Sequence, residues 1–189
     1  MGLSAPHRFS FAQYVEVEAQ SPIKHEFLNG WVWAMAGGSP EHARISASVA
    51  RMLGNALERQ PCAVYSSDLR IRVKETGLAT YPDVTVVCGP LESDPDDPSG
   101  HSVINPLLVV EVLSPSTEAY DRGDKLAHYK RVPSLKHVLL LASEEPRAEL
   151  WTRNGEWTRT DVAGEDLELA HLGVELDLNH IYRSPLTRD

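Results

Sequence analysis

Apolar side chains recur every three or four positions between residues 40 and 59, which is the spacing of one face of a helix. Ser39 precedes this segment as an N-cap, and Pro40 occupies the first helical position, where its missing amide hydrogen costs nothing. The pattern predicts a long amphipathic helix over residues 40–59. A shorter helix is predicted for residues 11–18, capped by Ser10. The apolar positions of the long helix are Ile45, Val49, Met52, Leu53, Ala56 and Leu57.

The pair Asn29-Gly30 lies between two runs of β-prone residues, and this arrangement is the strongest short-range indication of a β-hairpin. A two-residue turn there places Leu28 opposite Trp31 and Glu26 opposite Trp33. Glu26 therefore shares a face with large apolar side chains. A carboxylate in that position is either structural or part of a site.

Runs of β-branched and apolar residues predict further strands along the chain. The run 69–73 alternates apolar with basic side chains, which is typical of a half-exposed strand. The run 107–113 is apolar except for Glu111, and a helix is predicted for residues 117–131. Together these elements indicate an α/β (α+β) fold in which helices flank a mixed β-sheet, with N-terminal and C-terminal β-hairpins. The remaining strands are predicted near residues 63–67, 83–88 and 137–141, and a second Asn-Gly hairpin joins residues 148–153 to 156–160.

The segment 89–105 separates two predicted strands and is rich in Pro, Asp, Ser and Gly. Loops of this length are uncommon inside compact domains and are either functional or poorly ordered. Its composition offers little apolar surface to offset the loss of chain entropy on ordering. We therefore expect segment 89–105 to be disordered or highly mobile.

The totals of the 189-residue chain are those of a globular protein, with 42% hydrophobic and 24% charged residues. We expect a single domain over residues 1–189, with a core spanning about residues 10–160. No apolar run approaches the roughly 20 residues that span a bilayer, so we expect no membrane partner. Cys62 and Cys88 are too few and too far apart for a disulfide framework or a four-thiolate zinc site. A reducing, cytoplasmic location is expected.

The net charge of −9 lowers our expectation of tight, non-specific binding to nucleic acid, since proteins that bind phosphates usually have a basic surface. The charge is unevenly distributed, because residues 91–97 hold a cluster of acids whereas residues 70–74 and 125–136 are locally basic. A nuclease is not excluded, because a divalent metal reverses the local charge of a carboxylate site.

Asp83 begins one predicted strand, and Glu111 lies inside a neighbouring strand that is otherwise apolar. A buried carboxylate is costly unless it is paired or binds a cation. Asp121, Lys125 and Tyr129 follow at intervals of four residues and therefore share a face of the predicted helix. Each residue alone has an ordinary interpretation: Glu111 pairs with an arginine or caps a backbone, and Lys125 is a solvated helix lysine. Their combination in one window favours a divalent-metal site that faces a phosphate.

These residues and their spacing resemble a known family. Pro82-Asp83, the run EVLSPST over residues 111–117, and then Asp121, Lys125 and Tyr129 strongly resemble the Uma-two family of bacterial endonucleases, a branch of the PD-(D/E)XK superfamily. The resemblance extends upstream to Glu26, Asn29-Gly30 and residues 39–42, and it covers roughly residues 10–142. It implies a restriction-endonuclease-like fold and the hydrolysis of phosphodiester bonds in DNA, the substrate, with Mg²⁺ or Mn²⁺ as cofactor.

The same resemblance implies the roles of the site residues. Asp83 and Glu111 are the expected metal ligands, and Lys125 is the expected catalytic lysine. The superfamily usually places this lysine two residues after the second acid, where the chain has Leu113, and in this family the following helix supplies it. Glu26 is a further candidate catalytic residue through a metal or water contact. Ligands that are all oxygen favour Mg²⁺ or Mn²⁺ over Zn²⁺.

Two other side chains near the predicted site have ordinary structural interpretations. For His42, at the start of the long helix, we expect a neutral imidazole bonded to nearby backbone, and we expect Tyr129 to pack rather than react. A second function stays open, in which the same fold without turnover serves DNA binding or protein assembly. Trp31 and Trp33 are consistent with a dimer interface, so we expect a homodimer.

Overall fold

The computed structural model describes residues 8–35 and 37–183 as an α+β structure in which helices flank mixed β-sheets. The helices are α1 (Phe11–Glu18), α2 (Pro40–Leu57), α3 (Glu118–Tyr120), α4 (Leu126–Tyr129) and α5 (Leu178–Tyr182), with a π-helical turn at Asp121–Lys125 between α3 and α4. The strands are β1 (His25–Leu28), β2 (Trp31–Ala34), β3 (Cys62–Ser66), β4 (Arg70–Val73), β5 (Leu78–Thr80), β6 (Val84–Cys88), β7 (Ser102–Val103), β8 (Leu108–Leu113), β9 (His137–Ala142), β10 (Arg147–Asn154), β11 (Glu156–Ala163), β12 (Asp166–Leu169) and β13 (Val174–Asp177).

The predicted fold class is confirmed, but the strands are divided between two main sheets rather than one. The larger sheet has the order β11-β10-β9-β8-β6-β3, in which β8 and β9 are parallel and the other neighbours antiparallel. The smaller sheet has the order β2-β1-β5-β4-β7 and contains the N-terminal hairpin. Strands β12 and β13 form a separate hairpin. The two predicted hairpins therefore belong to different sheets.

Helix α2 packs against one face of the larger sheet through its buried residues Ile45, Val49, Leu53 and Leu57. Its N-terminus is capped as predicted, because the Ser39 hydroxyl accepts a hydrogen bond of 3.1 Å from the backbone amide three residues later. The β12–β13 hairpin and α5 complete this core on the same side. The core therefore extends to Ile181, beyond the limit near residue 160 that the sequence led us to expect.

The N-terminal hairpin has the predicted register, with Glu26 opposite Trp33 and Leu28 opposite Trp31. Both turn residues of Asn29-Gly30 have positive φ, at 48° and 95°, which is the geometry of the tight turn that suits the twist of a hairpin. Strand β1 also pairs with β5, so the hairpin is anchored to the smaller sheet. This anchoring fixes the position of Glu26.

The predicted helix over residues 117–131 is interrupted by the π-helical turn Asp121–Lys125. Asp121, Lys125 and Tyr129 are all buried, which their shared face alone did not predict. Turns of this kind insert a residue into a helix and are frequent at functional sites. Here the turn directs Asp121 and Lys125 towards the end of β8.

The segment 89–105 is packed, contrary to the disorder or high mobility that its composition predicted. It contains β7, which pairs with β4, and its residues Asp94 and Asp97 are buried. Asp97 forms an ion pair of 2.9 Å with Arg70, and Asp94 forms one of 2.8 Å with Lys74. The prediction considered only the apolar surface that the segment could bury. In the structure, ion pairs between its acids and the basic residues Arg70 and Lys74 hold it in place.

The same ion pairs correct the prediction that β4 is half exposed. Arg70 is buried, because the guanidinium donates to Asp97, to the Ser102 hydroxyl at 2.6 Å and to the Tyr81 hydroxyl at 3.2 Å. Arg72 on the same face is half-buried. The basic face of β4 is therefore covered by the segment that the sequence assigned to a loose loop.

Cys62 and Cys88 form a single disulfide, a pairing that their number and their spacing along the chain did not predict. They are distant in sequence but directly opposite in the antiparallel pairing of β3 with β6. The pairing of the strands, which spacing along the chain does not reveal, brings the thiols together. Within residues 8–35 and 37–183, no helix is long and apolar enough to cross a lipid bilayer.

The buried pair between Arg70 and Asp97 should hold segment 89–105 in place. The Arg70 and Asp97 side chains are 5% and 0% exposed, so Asp97→Ala should destabilise the protein by about 3–5 kcal/mol, because it leaves a buried guanidinium without its partner. Asp96→Ala is the matched control, because the Asp96 side chain is 73% exposed and its ion pair is screened by water, so its loss should change stability little. Urea unfolding measures both values, and equal losses would contradict this role.

Acid should diminish the effect of Asp97→Ala. Burial acts to raise the pKa of Asp97, but hydrogen bonds from Ser102, Ser99 and Arg70 outweigh it and hold that pKa below its ordinary value. A depressed carboxyl pKa stabilises the fold above the unfolded pKa, near 4, and this contribution is lost as the pH falls. The stability deficit of the variant should therefore shrink below about pH 4.

Candidate functional site

A cavity of about 210 Å³ opens where the first hairpin, the start of α2, the start of β6, the end of β8 and the π-helical turn meet. Acidic side chains from four of these elements line it, together with one lysine and one histidine. The residues on its polar side are Glu26, His42, Asp83, Glu111, Asp121 and Lys125.

Asp83 and Glu111 come from adjacent strands of the larger sheet, as predicted. Strands β6 and β8 are antiparallel with Val84 opposite Val110, so the next pair outward is Asp83 and Glu111. Directly opposite residues in such a pair point to the same face of the sheet. Both acids line the same cavity, which confirms the predicted placement in one cleft.

Lys125 lies at the centre of the acids rather than in solvent. Its Nζ is 2.9 Å from Glu111 Oε1, 3.2 Å from Glu26 Oε1 and 3.5 Å from Asp121 Oδ1. The residue is 4% exposed. Burial acts to lower the pKa of Lys125, but the carboxylate of Glu111 and the other neighbouring acids raise it well above its ordinary value. The interpretation of Lys125 as a solvated helix lysine is thereby excluded.

Tyr129 is fully buried and donates a hydrogen bond of 2.5 Å to Glu111 Oε1. The expectation that Tyr129 packs is met, and the hydroxyl also holds a site carboxylate. Burial raises the pKa of Glu111 to about 8 against the opposing effect of Lys125, and the neighbouring charges of Asp83 and Asp121 add to the rise. The environment of Glu111 therefore disfavours the ionised form of its carboxyl group.

His42 contacts Asp83, a partner that its position in the sequence did not predict, and the expected bond to nearby backbone is present as well, with Val112. Its Nε2 lies 3.2 Å from Asp83 Oδ2, and the backbone amide of Val112 donates to the same oxygen at 2.7 Å. The hydrogen bond with Asp83 raises the pKa of His42, while burial opposes the rise. The only sequence indication was the position of His42 in the first turn of α2, which does not reveal that α2 begins beside β6.

Glu26 is buried and is fixed from two sides. The hydroxyl of Thr80 on β5 donates to Glu26 Oε1, and Lys125 contacts the same oxygen. Nothing in the hydrophobic pattern distinguished Thr80. The Trp33 ring packs edge-on against Tyr120 at a centroid distance of 6.4 Å and forms the aromatic side of the cavity. The structure thus brings all four predicted site residues, Glu26, Asp83, Glu111 and Lys125, into one place.

The donor set of the cavity suits a hard divalent cation. Among the described residues, no three His, Cys, Asp or Glu side chains are arranged as a ready metal cage. Mg²⁺ needs no such cage, because it usually takes one or two carboxylates and completes its shell with water and substrate phosphate. Four acids surround one lysine, so the cavity has an excess of negative charge that a cation would neutralise. The residues therefore fit the metal that the sequence resemblance implies.

Comparisons with known proteins agree with this geometry. The model of the Uma2 family, described as "Putative restriction endonuclease", matches residues 11–179. "Uncharacterized protein slr1290" of Synechocystis sp. is 39% identical over 184 residues, which cover 95% of each chain. "Uncharacterized protein sll1609" of the same organism is 32% identical over 160 residues, which cover 84% of this chain and 89% of that protein.

A solved structure shares the fold. The crystal structure described as "a putative nuclease belonging to DUF820 from Anabaena variabilis" superposes with a TM-score of 0.69 and covers 89% of this chain and 96% of that chain. The sequences are 14% identical, so this likeness shows the fold alone.

The environment of Glu111 should make the stability of the metal-free protein depend on pH. Glu111 ionises near pH 4.3 in an unfolded chain but at a pKa of about 8 in the fold. The folded state therefore binds more protons between these values, and stability should fall as the pH rises from about 5 to 8. Glu111→Gln cannot ionise, so its stability should fall less, as urea unfolding in EDTA would measure.

Glu118→Gln controls for the loss of one carboxylate, because the Glu118 side chain is 49% exposed outside the cavity. The Glu118→Gln curve should run parallel to that of the wild type. A parallel curve for Glu111→Gln as well would contradict the assigned environment of Glu111.

Proposed function

This chain belongs to the Uma2 family, and we propose from that premise that it is an endonuclease that hydrolyses DNA phosphodiester bonds with Mg²⁺ or Mn²⁺. The observation that carries the proposal is the convergence of Asp83, Glu111 and Lys125 on one cavity. The family description and the nuclease named for the solved structure support the reaction class. The proposed substrate is DNA, and the proposed reaction requires the divalent metal.

Asp83 and Glu111 are the residues that would hold the metal, with Glu26 as a further contact to metal or water. A bound divalent cation would lower the pKa of a water molecule and neutralise charge on the phosphate. The protein's own contribution is to bury these acids beside one another and keep their carboxylates aimed at the cavity. Asp83 accepts a hydrogen bond from the Val112 amide, and Glu111 accepts one from the Tyr129 hydroxyl, so each carboxylate is held in its orientation.

Lys125 would supply the positive charge that orients the attacking water or stabilises the phosphate in the transition state. The superfamily position for this lysine is occupied by Leu113, which is 3% exposed and packs in a core cluster with Leu126 and Tyr129. Leu113 and Glu111 point to the same face of β8, and Lys125 reaches that face from the neighbouring π-helical turn. The ammonium thus lies beside the second acid although it comes from another element.

In a second candidate function the fold acts without turnover in DNA binding or protein assembly, and the net charge of −9 suits a protein partner better than bare duplex DNA. We propose that the protein is a homodimer whichever of the two functions it has. Trp31 is 47% exposed on β2, which lies at the edge of the smaller sheet, whereas Trp33 lines the cavity. Metal-dependent cleavage separates the two candidates.

Lys125→Met should abolish cleavage of plasmid DNA in Mn²⁺, because it removes the ammonium and keeps an apolar stem of similar length. It should also cost about 3–5 kcal/mol of stability, since it leaves buried acids without their partner. Circular dichroism at the assay temperature confirms that the variant is folded. Lys136→Met is the matched control and should cleave like the wild type. Full activity of folded Lys125→Met would refute the catalytic role.

Asp83→Asn should lose binding of Mn²⁺, because an amide oxygen is a neutral and weaker ligand than a carboxylate. Calorimetric titration of wild type and variant with MnCl₂ measures the affinity directly, without reference to cleavage. Equal binding by both proteins would mean that Asp83 is not a ligand.

A further inference from the structure

Each of the two proposed metal ligands has one oxygen bound by the protein. Asp83 Oδ2 receives the Val112 amide at 2.7 Å and lies 3.2 Å from His42 Nε2. Glu111 Oε1 receives the Tyr129 hydroxyl and contacts Lys125. Across residues 8–35 and 37–183, the hydrogen bonds to these two acids reach Asp83 Oδ2 and Glu111 Oε1 and leave Asp83 Oδ1 and Glu111 Oε2 without one. One oxygen of each acid is therefore left for another ligand.

The two donors on Asp83 restrict its side chain more than either would alone. A carboxylate held by one hydrogen bond can still turn about its own side-chain torsion and exchange the positions of its two oxygens. Donors from β8 and from α2 approach Asp83 Oδ2 from different elements, so rotation would break both contacts. The Asp83 side chain is 16% exposed, so its second oxygen can be reached from the cavity.

The imidazole of His42 is itself held in place. The backbone amide of His42 is bound by the Ser39 cap, and its carbonyl accepts from Ser46 at 2.9 Å. Its ring lies against Gly38, where an added Cβ would come within 2.6 Å of Nδ1. The ring is therefore confined between the Gly38 backbone and Asp83, with little room to swing away.

We infer that His42 is a positioning residue for the metal site, which together with the Val112 amide holds Oδ2 of Asp83 and turns Oδ1 towards a divalent cation in the cavity. The inference rests on the proposed function, because it needs a metal at Asp83. Groups that hydrogen-bond to metal ligands typically contribute 10- to 100-fold to metal affinity. A purely structural His42, which only pins the start of α2 to the sheet, would stabilise the fold without affecting metal affinity.

The first test is calorimetric titration with MnCl₂ of the full chain, with thermal unfolding in EDTA as a separate measure of folding. His42→Ala should weaken Mn²⁺ binding roughly 10- to 100-fold. His42→Gln should bind more tightly than His42→Ala, because its amide can donate to Asp83 Oδ2. His180→Ala is the matched control, because His180 is exposed on α5 and does not line the cavity. It should bind Mn²⁺ like the wild type.

The second test displaces the His42 ring without removing it. In Gly38→Ala the new methyl group would collide with His42 Nδ1, so the ring must move off Asp83 and Mn²⁺ binding should weaken. Gly37→Ala is the matched control, because a Cβ there meets no described atom within 4 Å. The pair decides the question even if His42→Ala fails to fold.

The outcomes separate this inference from the proposed function. If the wild type does not bind Mn²⁺, or Asp83→Asn binds it equally well, the metal site fails and the role of His42 fails with it. If Asp83→Asn loses binding while folded His42→Ala or Gly38→Ala keeps wild-type affinity, the site stands and the positioning role is overturned. Weakened binding in His42→Ala and Gly38→Ala, with both controls unchanged, supports the inference.

Discussion

The ammonium of Lys125 is the interaction on which the site depends, because it lies within 3.5 Å of three buried carboxylates. Charges removed from water are costly unless partners compensate them. One cation shared by Glu26, Glu111 and Asp121 allows these acids to lie close together without solvent. One positive charge does not balance three acids, and the remaining negative charge is what the proposed divalent cation would neutralise. The same contact thus serves both the stability of the fold and its proposed chemistry.

This cluster also joins the two sheets. Glu26 belongs to the smaller sheet, Glu111 to the larger one, and Lys125 to the π-helical turn that follows β8. Tyr81, which lines the cavity, connects it through its hydroxyl to the buried pair of Arg70 and Asp97. The acidic segment 89–105 is therefore part of the structure around the site. The net charge is a sum over the whole chain, whereas the cavity is lined by its own set of acids with one lysine and one histidine, so the net charge alone is a poor guide to what the cavity binds.

Each strand ligand of the proposed metal is supported by groups from other elements. His42 at the start of α2 contacts Asp83, and Tyr129 in α4 donates a hydrogen bond to Glu111. In each acid the hydrogen bonds engage one carboxylate oxygen, which would leave the other for the proposed cation, an ion that usually retains several waters. The departure of Lys125 from the usual strand position fits this arrangement, because α4 and the π-helical turn already pack against the face of β8 that bears Glu111.

The sequence by itself determined what depends on neighbours in the chain. The turn at Asn29-Gly30, with its register, and the cap of α2 at Ser39 follow from local backbone preferences, and Glu111 stood out as an acid in an apolar strand. Only the tertiary structure decided which distant elements meet: the disulfide, the packing of segment 89–105, the contact between His42 and Asp83, and the burial of Lys125. Local patterns specify backbone conformation and apolar faces, whereas the burial of charged side chains and the pairing of charges and thiols depend on the order of strands in the sheets. That order is set by contacts between residues far apart in the chain, which no local pattern contains.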